Sequence, residues 1–297
     1  MKKTANKIKI GTIFLLALGS LWTSCKKDKS PDIASGPAIR TVTASSNAYV
    51  TQLFEFNPAP GQFINTPIAD TVAAQGTLKT DQGLVSLGAF GGYIILGFDH
   101  TVLDVPGKDD LIVYGNAFPS FAEPGVVWVM QDTNGNGKPD DTWYELAGSE
   151  TGKVGYKTNY SVTYTRPNCD TCSVPWTDNQ GKTGVVQTNI FHTQIYFPIG
   201  IKGNTYTLTG TLLPSSNIDL SDPLNITSTA FAFGYSDSTS GGDTMDIANA
   251  VDKNGTKVNL KGIDFIKVQT GIQINMGWLG ELSTEFCGAA DLSILKK

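Results

Sequence analysis

The chain has 297 residues, 40% of them hydrophobic, 10% aromatic and only 16% charged, with 32 Gly and 14 Pro. Soluble domains average about 25% charged residues, so neutral Thr, Asn and Ser must coat this surface; with so many turn formers they favour strands over helices. The formal charge of −5 understates the acidity: Lys2, Lys3, Lys7 and Lys9 sit in an acid-free leader, and the 22 Lys+Arg less these four leave 18 against 27 acids, a net of −9. Coiled coils and helical bundles are poor fits, and with no basic stripe no nucleic-acid partner is expected.

Residues 1–24 read as a secretory signal peptide. Four lysines precede an apolar run from Ile10 to Trp22, interrupted by Gly11, Thr12, Gly19 and Ser20. That run is shorter than the roughly 20 residues of a bilayer span. Thr23 and Ser24 then lead into Cys25, and the arrangement resembles a bacterial lipobox, although Trp22 stands where an aliphatic residue is usual. On that reading Cys25 becomes an acylated N-terminus and the membrane a partner; the alternative is a plain secreted protein. Residues 25–47, rich in Lys, Ser, Ala and Gly, read as a solvated tether. The expected address is the outer membrane, on the cell surface or the periplasmic face.

From residue 48 to 297 short alternating or apolar runs recur between turn signals. The runs are Tyr49–Phe56, Gly83–Phe90, Tyr93–Phe98, Leu111–Tyr114, Val126–Met130, Thr142–Leu146 and Ser161–Thr165. Thr193–Phe197, Thr205–Leu213, Thr229–Tyr235, Lys257–Leu260, Ile263–Val268 and Ser283–Cys287 follow. Thr205-Tyr206-Thr207-Leu208-Thr209 has the strict period of a half-buried strand, and Asn254-Gly255 is a hairpin signal. Met245–Ala250 alone hints at a helix. This pattern predicts an all-β antiparallel β-sandwich or jelly roll with few or no helices; one domain is the simpler reading, and a second small domain beginning near Gly155 is the alternative.

Asp132-Thr133-Asn134-Gly135-Asn136-Gly137-Lys138-Pro139-Asp140 is the sharpest motif. Side-chain oxygens at positions 1, 3 and 5 with Gly at 6 fit a calcium loop: Asp132, Asn134 and Asn136 would give side-chain oxygens, Lys138 its carbonyl and Asp140 a further carboxylate. The twelfth position is Trp143 rather than a bidentate Glu, so the pattern is nearer the short loops of extracellular calcium repeats, with an affinity of roughly 10⁻⁴–10⁻³ M. The alternative is a hairpin loop without metal. Calcium, if bound, would be structural.

Cys169 and Cys172 stand in a Pro/Asn-rich stretch of an exported chain, where a disulfide stapling a loop is expected and free thiols are the alternative. His100 and His192 offer them no zinc-ligand spacing. Cys287 is expected to be buried. Trp143, Tyr144, Trp176 and Trp278 are candidate ligand-binding faces; Trp143 and Tyr144 are adjacent on a strand, so one points outward, whereas Trp176 and Trp278 read as loop residues. Trp128, between Val127 and Val129, reads more readily as core. No G-x-S-x-G, H-E-x-x-H or Ser/His/Asp set appears, and Glu145, Glu150, Glu281 and Glu285 remain as unplaced carboxylates for a hydrolase.

The stretch Gly91-Gly92-Tyr93-Ile94-Ile95-Leu96-Gly97-Phe98-Asp99-His100, with Leu111-Ile112-Val113-Tyr114-Gly115-Asn116-Ala117-Phe118, Met245–Asp252 and Ile263–Val268, resembles a family of uncharacterised bacterial cell-surface lipoproteins. The resemblance spans about Gly83 to Leu292. It implies a galactose-binding-like jelly roll with ligand loops at one end, sometimes with structural calcium, and carries over no catalytic residue. Asp99, Asp109, Asp110 and Asn116 occupy its polar positions, as turn formers or metal ligands. The function expected is a surface-anchored, non-catalytic module capturing a glycan or other nutrient, beside an outer-membrane uptake complex. A polysaccharide-active hydrolase and a structural or adhesive protein are the alternatives.

Overall fold

Alternating apolar and polar runs fold as antiparallel strands in the computed structural model, which describes residues 38–296. The segment read as a signal peptide, Cys25 and the segment read as a tether, up to residue 37, lie outside the described residues. In chain order the strands are β1 (Gln52–Asn57), β2 (Val85–Ser86), β3 (Tyr93–Leu103), β4 (Leu111–Tyr114), β5 (Gly125–Met130) and β6 (Tyr144–Leu146). Next come β7 (Lys157–Thr165), β8 (Val174–Asp178), β9 (Thr183–Val186), β10 (Thr205–Leu212), β11 (Ile218–Asp219) and β12 (Thr227–Ser228). The last six are β13 (Tyr235–Ser236), β14 (Asp243–Met245), β15 (Ala250–Val251), β16 (Gly262–Thr270), β17 (Glu285–Phe286) and β18 (Gly288–Asp291). One short helix, α1 (Thr71–Gly76), is capped by the Asp70 carboxylate accepting from Ala73 N, which satisfies an otherwise orphaned first-turn donor. The helix hinted at Met245–Ala250 is a 3₁₀ turn over Ile247–Asn249 that follows β14.

A seven-stranded sheet runs β1-β3-β16-β5-β6-β15, with β13 also on β5. Its inner face carries Ile94, Leu96, Phe98, Val127, Val129, Ile266 and Val268. These pack against Val85, Leu111, Val113, Met245, Phe286 and Ala289 from the β14-β4-β18 and β17-β2 layer. Burial of two apolar faces against each other is what makes a sandwich, so the molecule is an all-β antiparallel sandwich. A four-stranded sheet, β10-β7-β8-β9, adds its own cluster around Tyr160, Val162, Tyr164, Tyr196 and Phe197. It is fastened to the outer face of the larger sheet by Gln269, whose amide donates to Gly91 O and Thr209 O. Gly210 permits that approach, since a Cβ there would lie 1.9 Å from Gln269 Oε1.

Three departures from the sequence reading have physical causes. Trp176 lies on β8, in register with Tyr164 and Gly184, rather than in a loop. Thr193–Phe197 is not a strand: the Asn65 side chain takes the Ile195 and Phe197 carbonyls, so no ladder forms there. The end of the tether is not free. Arg40 N donates to Thr101 Oγ1, Arg40 O accepts from Thr101 N, and the Arg40 guanidinium pairs with the buried Asp264 at 2.9 Å. The turn at Asn254-Gly255 forms as read, with Gly255 N donating to Asp252 O and Val258 N to Ala250 O. Among the described residues no helix is long and apolar enough to cross a membrane.

Candidate ligand-binding cleft

On the outer face of the seven-stranded sheet Gln269 carries the second sheet, Val126 packs into a third cluster with Leu213 and Tyr235, and hollows remain between these coverings. Strand register lines up one cross-strand row there: Glu55, Ile95, Lys267, Trp128, Glu145 and Val251. Side chains in register on neighbouring strands share a face. With Val127 and Val129 turned into the core, Trp128 must face outward. Two adjoining hollows, each of about 500 Å³, lie along this row against β10 and share Trp143, Thr209 and Lys267. Together they form an elongated cleft.

Lys267 is the centre of the floor. Its Nζ lies 4.6 Å from the Tyr93 ring centroid and 5.5 Å from that of Trp128, within range of cation–π attraction. Among the described residues it forms no ion pair. Burial lowers its pKa to about 8, against the opposing pull of Glu55 and Glu145. Glu145 is buried, and both its oxygens are engaged, Oε1 by Tyr156 Oη at 2.7 Å and Oε2 by Thr211 Oγ1. Burial raises its pKa despite those bonds. Glu55 Oε2 accepts from Tyr93 Oη and Asn57 Nδ2 at 2.7 and 3.0 Å. Trp128 Nε1 and Tyr206 Oη, by contrast, are buried with no hydrogen-bond partner among the described residues.

Of the four aromatic residues singled out by sequence, the structure brings Trp143 alone into this cleft. Tyr144 packs against the main core. Trp176 rests on Gly184 beside the buried Glu281. Trp278 is 50% exposed and donates from Nε1 to Pro223 O. Lys267, Tyr206 and Glu55 escaped the sequence reading; Trp128, read as core, is half-buried against the cluster of Val126, Leu213 and Tyr235 and also lines the cleft.

The Asp132–Asp140 loop borders the cleft through Pro139. The Asp132 carboxylate accepts from Gly135 N, Asn136 N and Gly137 N at 2.8, 3.1 and 2.8 Å. Asn134 and Asn136 turn their amide nitrogens to Asp140, while Asn136 Oδ1 accepts from Lys138 N. The loop thus closes on its own hydrogen bonds, with Asn134 Oδ1 accepting from Asn136 N. Two acidic groups were not foreseen as groups: Asp104, Asp110 and Asp246, and the buried set Glu123, Asp237 and Glu285, each with oxygens within 4.8 Å of one another. Burial and mutual repulsion push Glu123 and Asp237 well above the ordinary carboxylate range, and burial pushes Glu285 up. Cys169 and Cys172 are joined in a disulfide, and Cys287 is a buried free thiol.

Two glutamates line the cleft, Glu55 in one hollow and Glu145 in the other. Glu55 and Glu145 stand four strand spacings apart, about 19 Å at the backbone, where glycoside hydrolysis needs about 5–9.5 Å. Glu281 faces a separate small hollow beside Trp176, and Glu150 pairs with Lys153 at 3.1 Å. No protein-family model matches this chain, and no curated protein does.

Proposed function

We propose that this protein is a non-catalytic ligand-binding lipoprotein of the outer membrane, held by acylated Cys25 and capturing a glycan or other nutrient in the cleft across its seven-stranded sheet. The observation that carries the reading is the pair of buried, unpartnered polar atoms, Trp128 Nε1 and Tyr206 Oη, in a cleft that also holds Trp143 and the Lys267 ammonium, which forms no ion pair among the described residues. A buried donor without a partner costs about 1–3 kcal/mol, a cost that a hydroxyl-rich ligand would relieve. An aromatic face beside hydrogen-bonding groups suits a sugar ring, apolar on its faces and polar at its rim. The galactose-binding-like resemblance agrees with such a role.

Calcium in the Asp132–Asp140 loop would be structural. Ordering that loop would stiffen the rim that Pro139 and Trp143 provide. The test of the function is calorimetric titration of the full chain with a panel of soluble oligosaccharides, in parallel with Trp143→Ala. Saturable binding that the variant loses supports the reading. No binding across the panel, or binding indifferent to Trp143, removes it. Co-purification from native membranes would show whether an uptake complex is the partner.

A further inference from the structure

The groups left unpaired in the cleft are not an even mixture of donors and acceptors. The Trp128 indole N–H can only donate, Lys267 offers three N–H donors, and the Tyr206 hydroxyl donates readily. Both oxygens of Glu145 are engaged, by Tyr156 and Thr211, and Glu55 Oε2 accepts from Tyr93 and Asn57. A ligand that satisfies these three donor groups brings acceptors, concentrated where Lys267 sits at the junction of the two hollows.

We propose that the cleft recognises a chain of acidic sugars, with the carboxylate of one uronic acid unit seated on Lys267 and neighbouring rings lying along the row past Trp128 and Trp143. The inference rests on the glycan-binding reading above and narrows it to a substrate class. Lys267 is the specificity-determining residue. Its ammonium is held between Tyr93 and Trp128, so it is already positioned for a carboxylate, and charge-assisted hydrogen bonds are about twice as strong as neutral ones. Glu55 and Glu145 stand two strands away on either side of Lys267, about 10 Å at the backbone. They bound the space rather than fill it, and a carboxylate placed on the lysine lies between them. The elongated shape favours several linked units over a single small anion.

The test is calorimetry on the full chain with trimers of galacturonic, glucuronic and mannuronic acid. The controls are the carboxyl-reduced trimers, the monomeric uronic acids and inorganic phosphate. The expected result is that at least one acidic trimer binds at least tenfold more tightly than its reduced counterpart. Lys267→Met should erase that preference and Lys267→Arg retain it, both variants keeping the wild-type melting temperature. Equal affinity for acidic and reduced trimers overturns this inference and leaves the glycan reading standing. No binding of any trimer overturns both. Monomers or phosphate binding as tightly as the trimers would make the site a simple anion pocket and also overturn it. Should Lys267→Met fail to fold, Tyr206→Phe, which deletes one hydroxyl, is expected to weaken the acidic trimer several-fold, and unchanged affinity counts against the cleft.

Discussion

Asp264 and Lys267 lie three residues apart on β16, the strand between β3 and β5 in the large sheet, and the fold treats them oppositely. Asp264 is closed on every side. Oδ1 accepts from Arg40 Nε, Arg40 Nη2 and Thr101 Oγ1, and Oδ2 accepts from Asp132 N at 2.7 Å. Lys267 is fixed between two rings and forms no ion pair among the described residues. A satisfied buried network specifies one conformation, whereas a positioned but unpaired group keeps binding capacity for something else. The same contrast recurs nearby. His100 is buried between Asp99 and Asp291 at 2.8 and 2.9 Å; burial pulls its pKa down, and the two carboxylates more than reverse this.

Mutation should separate the two regions cleanly. Asp264→Ala strands the Arg40 guanidinium and the Asp132 N–H, and breaking a buried ionic network costs about 3–5 kcal/mol. Urea denaturation should show a loss of that size, and a loss below about 1 kcal/mol would mean the network is ornamental. Trp143→Ala should do the reverse, leaving stability nearly unchanged while weakening oligosaccharide binding by at least about 2 kcal/mol, or roughly thirtyfold. Calorimetry and thermal unfolding of the same sample check both halves.

A smaller effect should come from pH. The Lys267 ammonium, whose pKa is lowered to about 8, is present below that value and lost above it. Affinity for an acidic trimer should therefore fall by up to about tenfold between pH 7 and 9. Tyr93, Tyr156 and Tyr206 are all pushed upward by burial and titrate above this window. Glu55→Gln and Glu145→Gln, run alongside, separate their charges from that of the lysine. Smallest is calcium: at a few millimolar, a site of roughly 10⁻³ M affinity adds about 1 kcal/mol, raising Tm by about 3 °C. Asp132→Asn should abolish that rise, and a wild-type Tm indifferent to calcium would empty the loop of its metal role.

How much of this was visible beforehand depends on how local the signal is. Leu111–Tyr114 coincides with β4, because turn residues flank a short apolar run. β8 was hidden, since Pro175 normally demotes a strand and the Cys169–Cys172 staple precedes it; here Pro175 sits opposite Val185 in register. The cleft was the least legible part. Its row joins residue 55 to residue 145, by way of residue 267, through four pairings across the sheet, and no spacing rule within one chain encodes such a juxtaposition. Trp143 was identifiable as an aromatic, although it stands just ahead of β6 rather than on it, but Lys267 carries no motif and acquires its significance from neighbours remote in sequence.

The Arg40–Asp264 clasp also decides how the domain would bear mechanical load. Any pull on the chain ahead of Arg40 reaches Asp264 on an interior strand flanked by two partners, so the force shears several ladders together instead of peeling an outermost strand one bond at a time. A body gripped at its middle in this way is suited to carrying tension through the segment that enters it at Arg40.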